Sequence, residues 1–443
     1  MKKAVIIFTR VPEAGKTKTR MMPHLTPEQC EKLHTCFLQD ITGECRKCAA
    51  DLFVCYTPEE GDQKLKKLLG ETKGYFPQEG DGLGERMYRG LEQVLGLDYD
   101  ACLLIGTDIP ELKARDLERA FLALEQKDVV FGKTGDGGYY LVGMKRPLRE
   151  VFSLNAYGHG KVLEETLRDL VSCGISVGFT RTLEDMDTPE DLRGYRERMR
   201  EDSRLKTSRT GHFLARSSKI SVIIPVYNER AWVDRLQRQL LPLAKECEIL
   251  FVDGGSTDGT VERIRPEFTL LHSEKGRGKQ MNAGAKASTG DILFFLHCDS
   301  ELPPRLLEQI RRVMRDYRVG CFGIAYHSRN FFMFTCQVIS NHRIKDRKVM
   351  FGDQGIFVDR DVFFQAGMFP EIPIMEDYQF SLTLKKMGVK PGIARKRIYT
   401  SDRRYPKGTM EKLRFMWKMN RMRKMYRDGV SPEKLAKMYR DVR

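Results

Sequence analysis

The chain has 443 residues, which is too long for one ordinary hydrophobic core and fits two domains of roughly 200 residues each. Its hydrophobic content of 41% is that of a globular protein, and no apolar run approaches the ~18–20 residues that a membrane-spanning helix needs. The net charge is +15, and all of it comes from residues 385–443, which hold 20 Lys and Arg against five Asp and Glu. This placement argues against a general nucleic-acid-binding protein and for one local anionic partner.

The first apolar run, Ala4–Phe8, is only five residues long, and Arg10 follows it closely. This pattern predicts a buried first strand rather than a secretion signal. We therefore expect a cytoplasmic protein, and we expect most of its 11 cysteines to be free thiols. The pair Cys45 and Cys48 has no second pair at matching spacing, so it does not predict a zinc site.

Apolar, β-rich runs alternate with helical patterns in both halves of the chain. In the first half, strands are predicted at Ala4–Phe8, Leu52–Tyr56, Ala101–Gly106, Asp128–Gly132 and Tyr139–Gly143, and helices at Thr26–Ala49, Gly84–Leu95 and Lys113–Gln126. In the second half, strands are predicted at Ser221–Pro225, Glu248–Asp253, Thr269–His272 and Asp291–His297, and helices at Glu229–Ala244 and Gly276–Ala287.

This alternation predicts two α/β domains, each a mostly parallel, Rossmann-like sheet flanked by helices. Residues 201–218 carry many charges and little apolar periodicity, so we predict a linker there. The domains would then cover residues 1–200 and 219–443. Ligands are expected at the carboxyl ends of the parallel strands.

Basic and glycine-rich loops follow the strands of the first domain. The loop after the first strand suits a triphosphate or a sugar phosphate, although it is not a GxxxxGK[ST] loop. Further glycine turns lie at 81–87 and 135–140. The residues that we predict to bind the nucleotide here are Arg10, Gly15, Lys16, Lys18, Arg20, Gly84, Asp136, Gly137 and Gly138.

Acids in two segments of the first domain predict a metal site. Asp108 ends a predicted strand, and Asp185 and Asp187 lie in the segment EDMDTPEDL. Asp108 with one of that pair would clamp Mg²⁺ or Mn²⁺, as nucleotidyl transfer requires. The alternative for this segment is helix capping by Asp187 or Thr188, with Pro189 in the first turn.

The segments GKTKTR, LGERM, GTDIP, DGGYYL and DMDTPEDL together resemble the radical-SAM/selenodomain-associated transferase 1 family. The resemblance covers most of residues 1–195 and implies a nucleotidyltransferase or GT-A-like fold. It leaves open whether the domain makes a nucleotide-sugar from NTP and a sugar phosphate or transfers a sugar from one.

In the second domain, polar residues again follow predicted strands. Asp253 ends a strand and precedes a Gly-Gly-Ser loop, where its carboxylate can accept from a base or ribose while the loop approaches phosphate. Lys279 lies in a basic helix that follows. The other residues that we predict to bind the donor are Pro225, Tyr227, Asn228 and Glu229.

Three further acids complete the predicted site of the second domain. Asp299 follows a buried strand, where a carboxylate can hold Mg²⁺ or Mn²⁺ against a diphosphate. Glu376 and Asp377 are adjacent at the start of a helical pattern. Gly and Asp residues that only shape turns would not explain acids at three such ends in one domain.

The motifs PVYNE, VDGGSTDGT, GRGKQMNAGA, FLHCD, GDQGIFV and MEDY together resemble family 2 glycosyltransferases, and within them the radical-SAM/selenodomain-associated transferase 2 subgroup. The resemblance implies an inverting, metal-dependent GT-A enzyme. It implies that Asp253 binds the nucleotide, that Asp299 binds metal and diphosphate, and that Asp377, with Glu376 adjacent, is the base. The family's Asp-x-Asp is His297-Cys298-Asp299 here, so only one carboxylate is present, and His297 is either a second ligand or a packing residue.

The basic C-terminal segment leaves two pairs of alternatives open. Arg403 and Arg404 either stabilise the leaving diphosphate or belong to a solvated turn. Apolar residues at helical spacing between 409 and 426 predict an amphipathic helix. This helix, with the rest of 409–443, either lies on an anionic membrane at the inner face or packs a Met-rich stripe onto the domain.

We therefore expect a bifunctional transferase with nucleotide-sugar, NTP and sugar-phosphate substrates and no nucleic-acid partner. The first domain would form the nucleotide-sugar, and the second would transfer the sugar with inversion. Two alternatives are that both domains are glycosyltransferases, or that the first is a non-catalytic nucleotide-binding scaffold.

Overall fold

Two α/β units make up the chain, Met1–Ser217 and Ser218–Arg443. The computed structural model describes residues 1–22, 24–154, 156–327, 331–400 and 409–440. The predicted residues Arg403 and Arg404 lie outside the described residues.

The first unit alternates strands and helices from its amino end. Its strands are β1 Lys3–Arg10, β2 Asp51–Thr57, β3 Gly74–Pro77, β4 Ala101–Ile105, β5 Val129–Lys133, β6 Tyr139–Met144 and β7 Val177–Phe179. Its helices are α1 Pro27–Cys45, α2 Asp62–Leu69, α3 Leu83–Leu95, α4 Ala114–Leu124, α5 Val162–Ser172, α6 Pro189–Glu201, α7 Ser203–Thr207 and α8 Arg209–Ser217.

The sheet of the first unit has the order β3-β2-β1-β4-β6-β5-β7. Strands β1 to β4 are parallel, β6 is antiparallel to both neighbours, and β5 and β7 are again parallel. Alternate residues of β1 enter two cores, with Val5 and Ile7 facing α1 and α4, and Ala4 and Ile6 facing α3. A strand that is buried on both faces explains the continuous apolar run in the sequence.

The second unit repeats this alternation. Its strands are β8 Ile220–Val226, β9 Glu248–Asp253, β10 Thr269–His272, β11 Ile292–Phe295, β12 Ser300–Glu301, β13 Val319–Ala325, β14 Ile356–Asp359 and β15 Pro391–Thr400. Its helices are α9 Val233–Leu240, α10 Arg277–Ala287, α11 Leu306–Met314, α12 Phe331–Arg347, α13 Arg360–Gln365, α14 Glu376–Lys386, α15 Thr409–Arg427 and α16 Pro432–Arg440.

The sheet of the second unit has the order β10-β9-β8-β11-β14-β13-β15-β12. Its first seven strands correspond one for one, in order and direction, to those of the first unit, and the short β12 is added at the edge. One core holds α9 and α11, and the opposite core holds α10, α13 and α14. The predicted fold class, two mostly parallel sheets flanked by helices, is confirmed.

A small third apolar cluster joins the last two helices to α14. Met422 of α15 and Leu435 of α16 are buried in it together with Met375 and Tyr378. Tyr426 Oη donates a hydrogen bond to Gln379 at 2.9 Å, which fixes α15 on α14. The packing alternative for this segment is therefore observed for one face of α15.

The predicted linker at 201–218 is wrong, because most of this segment is helical and packs into the first unit. Leu205 and Leu214 are buried in its core. Asp40 of α1 accepts hydrogen bonds from the backbone N–H groups of Arg209 and Thr210 at 3.0 and 2.9 Å, which caps α8. The many charges of the segment lie around this narrow apolar contact and hide it in the sequence.

Two smaller findings concern single elements. The strand β8 does not stop at Pro225, because Pro225 pairs in register with Val252 and the strand continues to Val226. Among the described residues, no helix has both the length and the apolar character that crossing a bilayer requires.

Candidate functional site

The candidate site of the first unit contains one lysine between two carboxylates beyond the ends of β1 and β4. Lys18 Nζ lies 2.6 Å from Asp108 Oδ1 and 2.7 Å from Asp187 Oδ1, and it donates to the carbonyl oxygen of Met186 at 2.7 Å. Its side chain is 5% exposed. Burial is the largest influence on the pKa of Lys18 and lowers it, but the charges of Asp108 and Asp187 outweigh burial, so the pKa lies above its usual value.

The segment that carries Asp187 owes its position to a helix cap. Thr188 Oγ1 accepts from the backbone N–H of Asp191 at 3.3 Å, and Pro189 occupies the first turn of α6. The capping alternative is confirmed for Thr188 and Pro189. Asp187 lies just before the cap, and its carboxylate contacts Lys18 instead.

The residues of this site meet a part of what a metal ion requires. Asp108 and Asp187 converge on one cationic atom, and carboxylate oxygens are the donors that Mg²⁺ and Mn²⁺ prefer. The point of convergence holds the ammonium group of Lys18, which the sequence analysis assigned to nucleotide binding. Within the described ranges, no three His, Cys, Asp or Glu side chains are grouped so that they could hold a metal ion. The donor types fit a metal, and an ion at this point requires Lys18 to move.

Two more predicted acids, Asp136 and Asp185, lie near the triplet formed by Lys18, Asp108 and Asp187. Burial, followed by repulsion from Asp136 and Asp187, raises the pKa of Asp185 to about 6. Asp136 Oδ1 accepts from Thr134 Oγ1 at 2.5 Å and from the Gly138 N–H at 3.1 Å, so Asp136 shapes its own turn. The three acids and Asp108 make this end of the sheet strongly acidic.

Glycines of the first unit are required by close contacts. Gly137 has a φ of 89°, and a Cβ there would lie 2.1 Å from the carbonyl oxygen of Gly160. A Cβ at Gly84 would lie 2.5 Å from Tyr157 Oη. Packing alone therefore explains Gly84. Both the positive φ and the close contact with Gly160 explain Gly137.

The other predicted basic residues of the first unit remain near the surface. Lys16 pairs with Glu13 at 2.9 Å, and its side chain is 72% exposed. Arg20 lies 3.9 Å from Asp187 and is 73% exposed, and Arg10 at the end of β1 is exposed as well. Gly15 has a φ of 80°, which a tight turn between these residues requires.

A buried histidine that the sequence analysis missed lies behind the triplet. His34 Nε2 is 3.4 Å from Thr9 Oγ1 and 3.4 Å from Thr107 Oγ1. Burial, followed by the nearby charges of Lys18 and Arg10, lowers the pKa of His34 to about 3. The ring is therefore neutral at ordinary pH. In the sequence, the position of His34 within the helical apolar pattern of α1 gave no sign that it lies behind Lys18.

In the second unit, the loops after β8 and β9 are joined by hydrogen bonds. Asn228, with a φ of 55°, accepts from the Thr257 N–H at 2.9 Å, and its own N–H donates to Ser256 Oγ at 2.9 Å. Asp253 is buried, and its Oδ2 accepts from the N–H groups of Gly255 and Ser256 at 2.9 and 3.1 Å. These two predicted donor-binding residues hold the loops in place.

Gln280 of α10, which the sequence analysis did not single out, connects the same two strands. Its buried amide donates to the carbonyl oxygens of Val226 and Val252 at 2.7 and 2.8 Å. A Cβ at Gly254 would lie 2.9 Å from the Gln280 amide carbon, so a glycine is required there. A glutamine in a basic helix reads as a surface residue, which is why the pattern hid it.

The remaining predicted donor-binding residues line the outside of these loops. Tyr227 is 37% exposed, and Lys275 Nζ lies 3.8 Å from its ring centre. The Glu229 N–H donates to Thr260 Oγ1 at 2.9 Å. Lys279 forms an ion pair with Glu274 at the surface.

The adjacent acids Glu376 and Asp377 at the start of α14 have different surroundings. Asp377 Oδ2 accepts from the Gly352 N–H at 2.8 Å, and Oδ1 accepts from the Tyr378 N–H at 2.7 Å. Glu376 is 1% exposed and forms an ion pair with Arg277 of α10. Asp377 lines a cavity, which is described below, whereas Glu376 joins α14 to α10.

Arg277 remains charged in this pair. Burial is the largest influence on its pKa and lowers it, but the charges of Glu376 and Asp377 outweigh burial, so the pKa of Arg277 lies above its usual value. The pair holds the amino ends of α10 and α14 together beside Asp377.

His297 lies close to Asp377 across Gly352. A Cβ at Gly352 would lie 2.7 Å from His297 Nε2 and 3.5 Å from Asp377 Oδ2, so a side chain there would separate the two. His297 and Asp299 are both buried in the turn that follows β11. Asp299 offers one carboxylate to a metal ion. One protein carboxylate is often enough for Mg²⁺ when a substrate phosphate supplies further ligands.

A cavity of about 410 Å³ opens at Asp377. Asp377, His297 and Arg277 lie on one side of it. Side chains from α12, α15 and α16 complete its wall. The C-terminal helices therefore belong to this candidate site.

Comparison with known proteins gives a family for a part of each unit. Residues 43–159 match the family described as "Uncharacterized protein conserved in bacteria (DUF2064)", and residues 221–370 match glycosyl transferase family 2. The chain thus carries a DUF2064 domain in its first unit and a glycosyl transferase family 2 domain in its second. The predicted family 2 resemblance is confirmed at this level.

A curated protein is also similar to a part of this chain. An uncharacterized glycosyltransferase of Nostoc sp. is 32% identical over 121 residues, which are 25% of this chain and 36% of that protein. The chain thus spans little more than a third of the length of this curated relative.

Solved structures of transferases are similar to parts of this chain as well. A putative nucleotide-diphospho-sugar transferase from Desulfovibrio desulfuricans G20 is 29% identical, with 48% of this chain and 94% of that chain covered and a TM-score of 0.46. A mannosyltransferase from Pyrobaculum calidifontis, in complex with GDP-Man and Mn²⁺, is 21% identical, with 50% and 68% covered and a TM-score of 0.35.

Proposed function

We propose that the second unit transfers a sugar from a nucleotide-sugar to an acceptor with inversion at the anomeric carbon. The observation that carries the proposal is the carboxylate of Asp377, which two backbone N–H groups orient at a cavity of the unit whose residues 221–370 match glycosyl transferase family 2. Asp377 accepts the proton of the acceptor hydroxyl while that oxygen attacks the anomeric carbon. The bond to the nucleoside diphosphate breaks on the opposite face.

The donor binds in this proposal along the joined loops after β8 and β9. Asp253 contacts the nucleoside together with the predicted residues Pro225, Tyr227, Asn228 and Glu229. Lys279, Arg403 and Arg404 contact the diphosphate. Asp299 would hold Mg²⁺ or Mn²⁺, and the bound ion would neutralise charge on the leaving diphosphate.

Screening of nucleotide-sugars tests this proposal. The full chain is incubated with UDP-, GDP- and TDP-sugars with and without Mn²⁺, and both the melting temperature and the release of nucleoside diphosphate are measured. We expect one donor to raise the melting temperature and to be hydrolysed slowly, because water replaces the acceptor. Absence of both effects with every donor would contradict the proposal.

For the first unit we propose nucleotidyl transfer from NTP to a sugar phosphate, which would supply the donor. The acidic cluster around Asp108, Asp185 and Asp187 and the basic loop with Lys18 support it. The narrower names, selenodomain-associated transferase 1 and 2, are part of this proposal for the two domains. Incubation with NTP, Mg²⁺ and a panel of sugar 1-phosphates tests it, because nucleotidyl transfer releases pyrophosphate and sugar transfer does not.

The two alternatives predict different results in that assay. A second glycosyltransferase would release no pyrophosphate there, and with an added nucleotide-sugar it would release nucleoside diphosphate even in a chain whose Asp377 is replaced by Asn. A scaffold would release neither product, and Asp108→Asn would leave nucleotide binding unchanged.

We also propose peripheral contact of α15 with an anionic membrane at its cytoplasmic face. Met410, Leu413 and Trp417 are 65%, 45% and 66% exposed, and they recur at a spacing that places them on one helix face. Arg421 lies over the Trp417 ring at 5.6 Å. Sedimentation with anionic and neutral vesicles tests this contact, and Trp417→Glu with Leu413→Glu is expected to abolish it.

A further inference from the structure

The cavity beside Asp377 has a wall that contains both arginines and apolar side chains. Arg343 of α12 and Arg423 of α15 each place a guanidinium 5.3 Å from the ring centre of Phe351. Phe351 immediately precedes Gly352, whose N–H binds Asp377. Two guanidinium groups therefore lie around one ring, next to the carboxylate that we propose as the base.

The wall carries charges of both signs. The lining residues include three arginines, Arg277, Arg343 and Arg423, against the two aspartates Asp353 and Asp377. Glu376 neutralises Arg277 from outside the lining. Arginine presents a planar fork of donors that matches the oxygens of a phosphate or carboxylate.

The rest of the wall contributed by α15 is apolar. Phe415, Met416 and Met419 line the cavity on the face of α15 that also carries Arg423. Methionine side chains are flexible and adapt to hydrocarbon of irregular shape. A cavity of about 410 Å³ is large enough for a small amphiphile or for one end of a longer one.

We propose that the acceptor of the second unit is an amphipathic anion. Its phosphate or carboxylate contacts Arg343 and Arg423, its apolar body lies along Phe415, Met416 and Met419, and its nucleophilic oxygen faces Asp377. This inference rests on the proposed sugar transfer for the identity of the occupant as acceptor. The binding chemistry rests on the wall alone.

The same chemistry has two sources, a free amphiphile and a lipid in a bilayer. Since each residue turns a helix by about 100°, Met410, Leu413 and Trp417 lie on a different side of α15 from the cavity residues. The exposed side would contact the bilayer if the anion comes from a lipid.

Binding of small probes to the full chain tests the proposal by calorimetry. We expect octyl phosphate to bind about tenfold or more tightly than octyl glucoside and than inorganic phosphate. From butyl to octyl phosphate, affinity should rise about two- to fourfold with each methylene. Equal affinity for octyl phosphate and octyl glucoside, or for octyl and inorganic phosphate, would overturn the proposal.

Variants locate the site. Arg343→Gln with Arg423→Gln should reduce octyl phosphate binding to the level of octyl glucoside, and Arg423→Lys should reduce it less because the charge stays. Arg421→Gln is the matched control, since Arg421 lies on the same helix against Trp417, and it should change affinity less than about twofold. Unchanged binding in the folded double variant would overturn the proposal.

Two further arms separate the sources and the two proposals. Vesicles of phosphatidylcholine with phosphatidic acid bind the chain partly through Arg343 and Arg423 if the source is a lipid, and the double variant then binds them more weakly than the wild type while contact through Leu413 and Trp417 remains. If only dissolved octyl phosphate depends on the arginines, the source is a free amphiphile. Donor hydrolysis without amphiphile binding defeats this inference alone, and amphiphile binding without donor hydrolysis defeats the proposed sugar transfer alone.

Discussion

The two units of this chain share seven strands in the same order and directions, yet the loops at the ends of those strands carry different side chains. In the first unit, Lys18 enters a cluster of acids from the loop after β1. In the second unit, the loop after β8 carries Asn228, which binds the neighbouring loop. The sheet decides where the strand ends meet, and the loops decide which chemistry is brought there.

The second unit also separates two tasks that the first unit combines. In the first unit the same carboxylates, Asp108 and Asp187, hold a lysine and are the predicted metal ligands. In the second unit Glu376 holds Arg277, and the adjacent Asp377 is left to face the cavity. One turn of helix therefore contains both a packing acid and a candidate base.

Replacement of Asp377 by Asn sharpens this division most strongly. We expect the rate of donor hydrolysis or transfer to fall by about 10²–10⁴, because the amide cannot accept the proton of the attacking oxygen. Donor affinity should stay within about twofold, measured by thermal shift. Asp361→Asn on α13 is the exposed control. A variant rate close to that of the wild type would remove Asp377 from the mechanism.

Replacement of Glu376 by Gln is expected to act on stability instead. Arg277 would be left half-buried without its carboxylate, and the free energy of unfolding should fall by about 2–3 kcal/mol. Glu274→Gln is the matched control, because its partner Lys279 lies on the same helix and the pair is at the surface. Urea unfolding measures both variants. Equal behaviour of the two would show that burial of the Arg277 pair does not matter.

Lys18→Met tests the corresponding cation of the first unit. Asp108 and Asp187 would then face each other without the ammonium, and the free energy of unfolding should fall by about 1–2 kcal/mol. Mn²⁺ should raise the melting temperature of this variant more than that of the wild type, since the carboxylates are now open to an ion. Lys16→Met, at an exposed lysine of the same loop, is the control. No Mn²⁺ effect in the variant would argue against a metal at these acids.

Asp185→Asn is expected to have the smallest effect, and its effect depends on pH. The folded chain raises the pKa of Asp185 to about 6, so wild-type stability is fully present below the unfolded pKa of ~3.9 and falls as pH rises to about 6. The variant lacks this loss. Above pH 6 it should be more stable than the wild type by on the order of 1 kcal/mol, after allowance for solvent screening.

Unfolding at pH 4 and pH 7 measures this difference. Glu60→Gln, at an exposed acid of the same unit, should show no such pH dependence. A constant difference between Asp185→Asn and the wild type across this range would mean that Asp185 is not in an acidic, buried place.

The sequence predicted the central parallel strands and their ends well because most of these strands are apolar runs buried on two faces. The bounds of β9 and β10 agree with the prediction, and the acids Asp108 and Asp253 lie at or just beyond strand ends as expected. Strands β3 and β7 of the first unit were missed, and so were β13, β14 and β15 of the second unit, because short apolar runs and runs interrupted by glycine or charged residues give no clear period of two.

The contacts of individual side chains could not be predicted. Adjacent residues of a helix point about 100° apart, and only packing decides which of Glu376 and Asp377 faces the cavity. His34 and Gln280 are buried polar residues whose partners come from strands distant in sequence. For α15 the sequence offered packing or membrane contact as alternatives, and the structure packs one face and leaves three apolar side chains of the other exposed.

The amide of Gln280 has a mechanical consequence for the second unit. It acts as a cross-link between α10 and carbonyls near the ends of β8 and β9, so any sliding of the helix along the sheet breaks two hydrogen bonds at once. Helix α10 also carries Arg277, which binds Glu376 beside Asp377. A displacement of the loops by a bound nucleotide would therefore be transmitted through one rigid helix to the carboxylate at the cavity, and amide hydrogen exchange along α10 would report it.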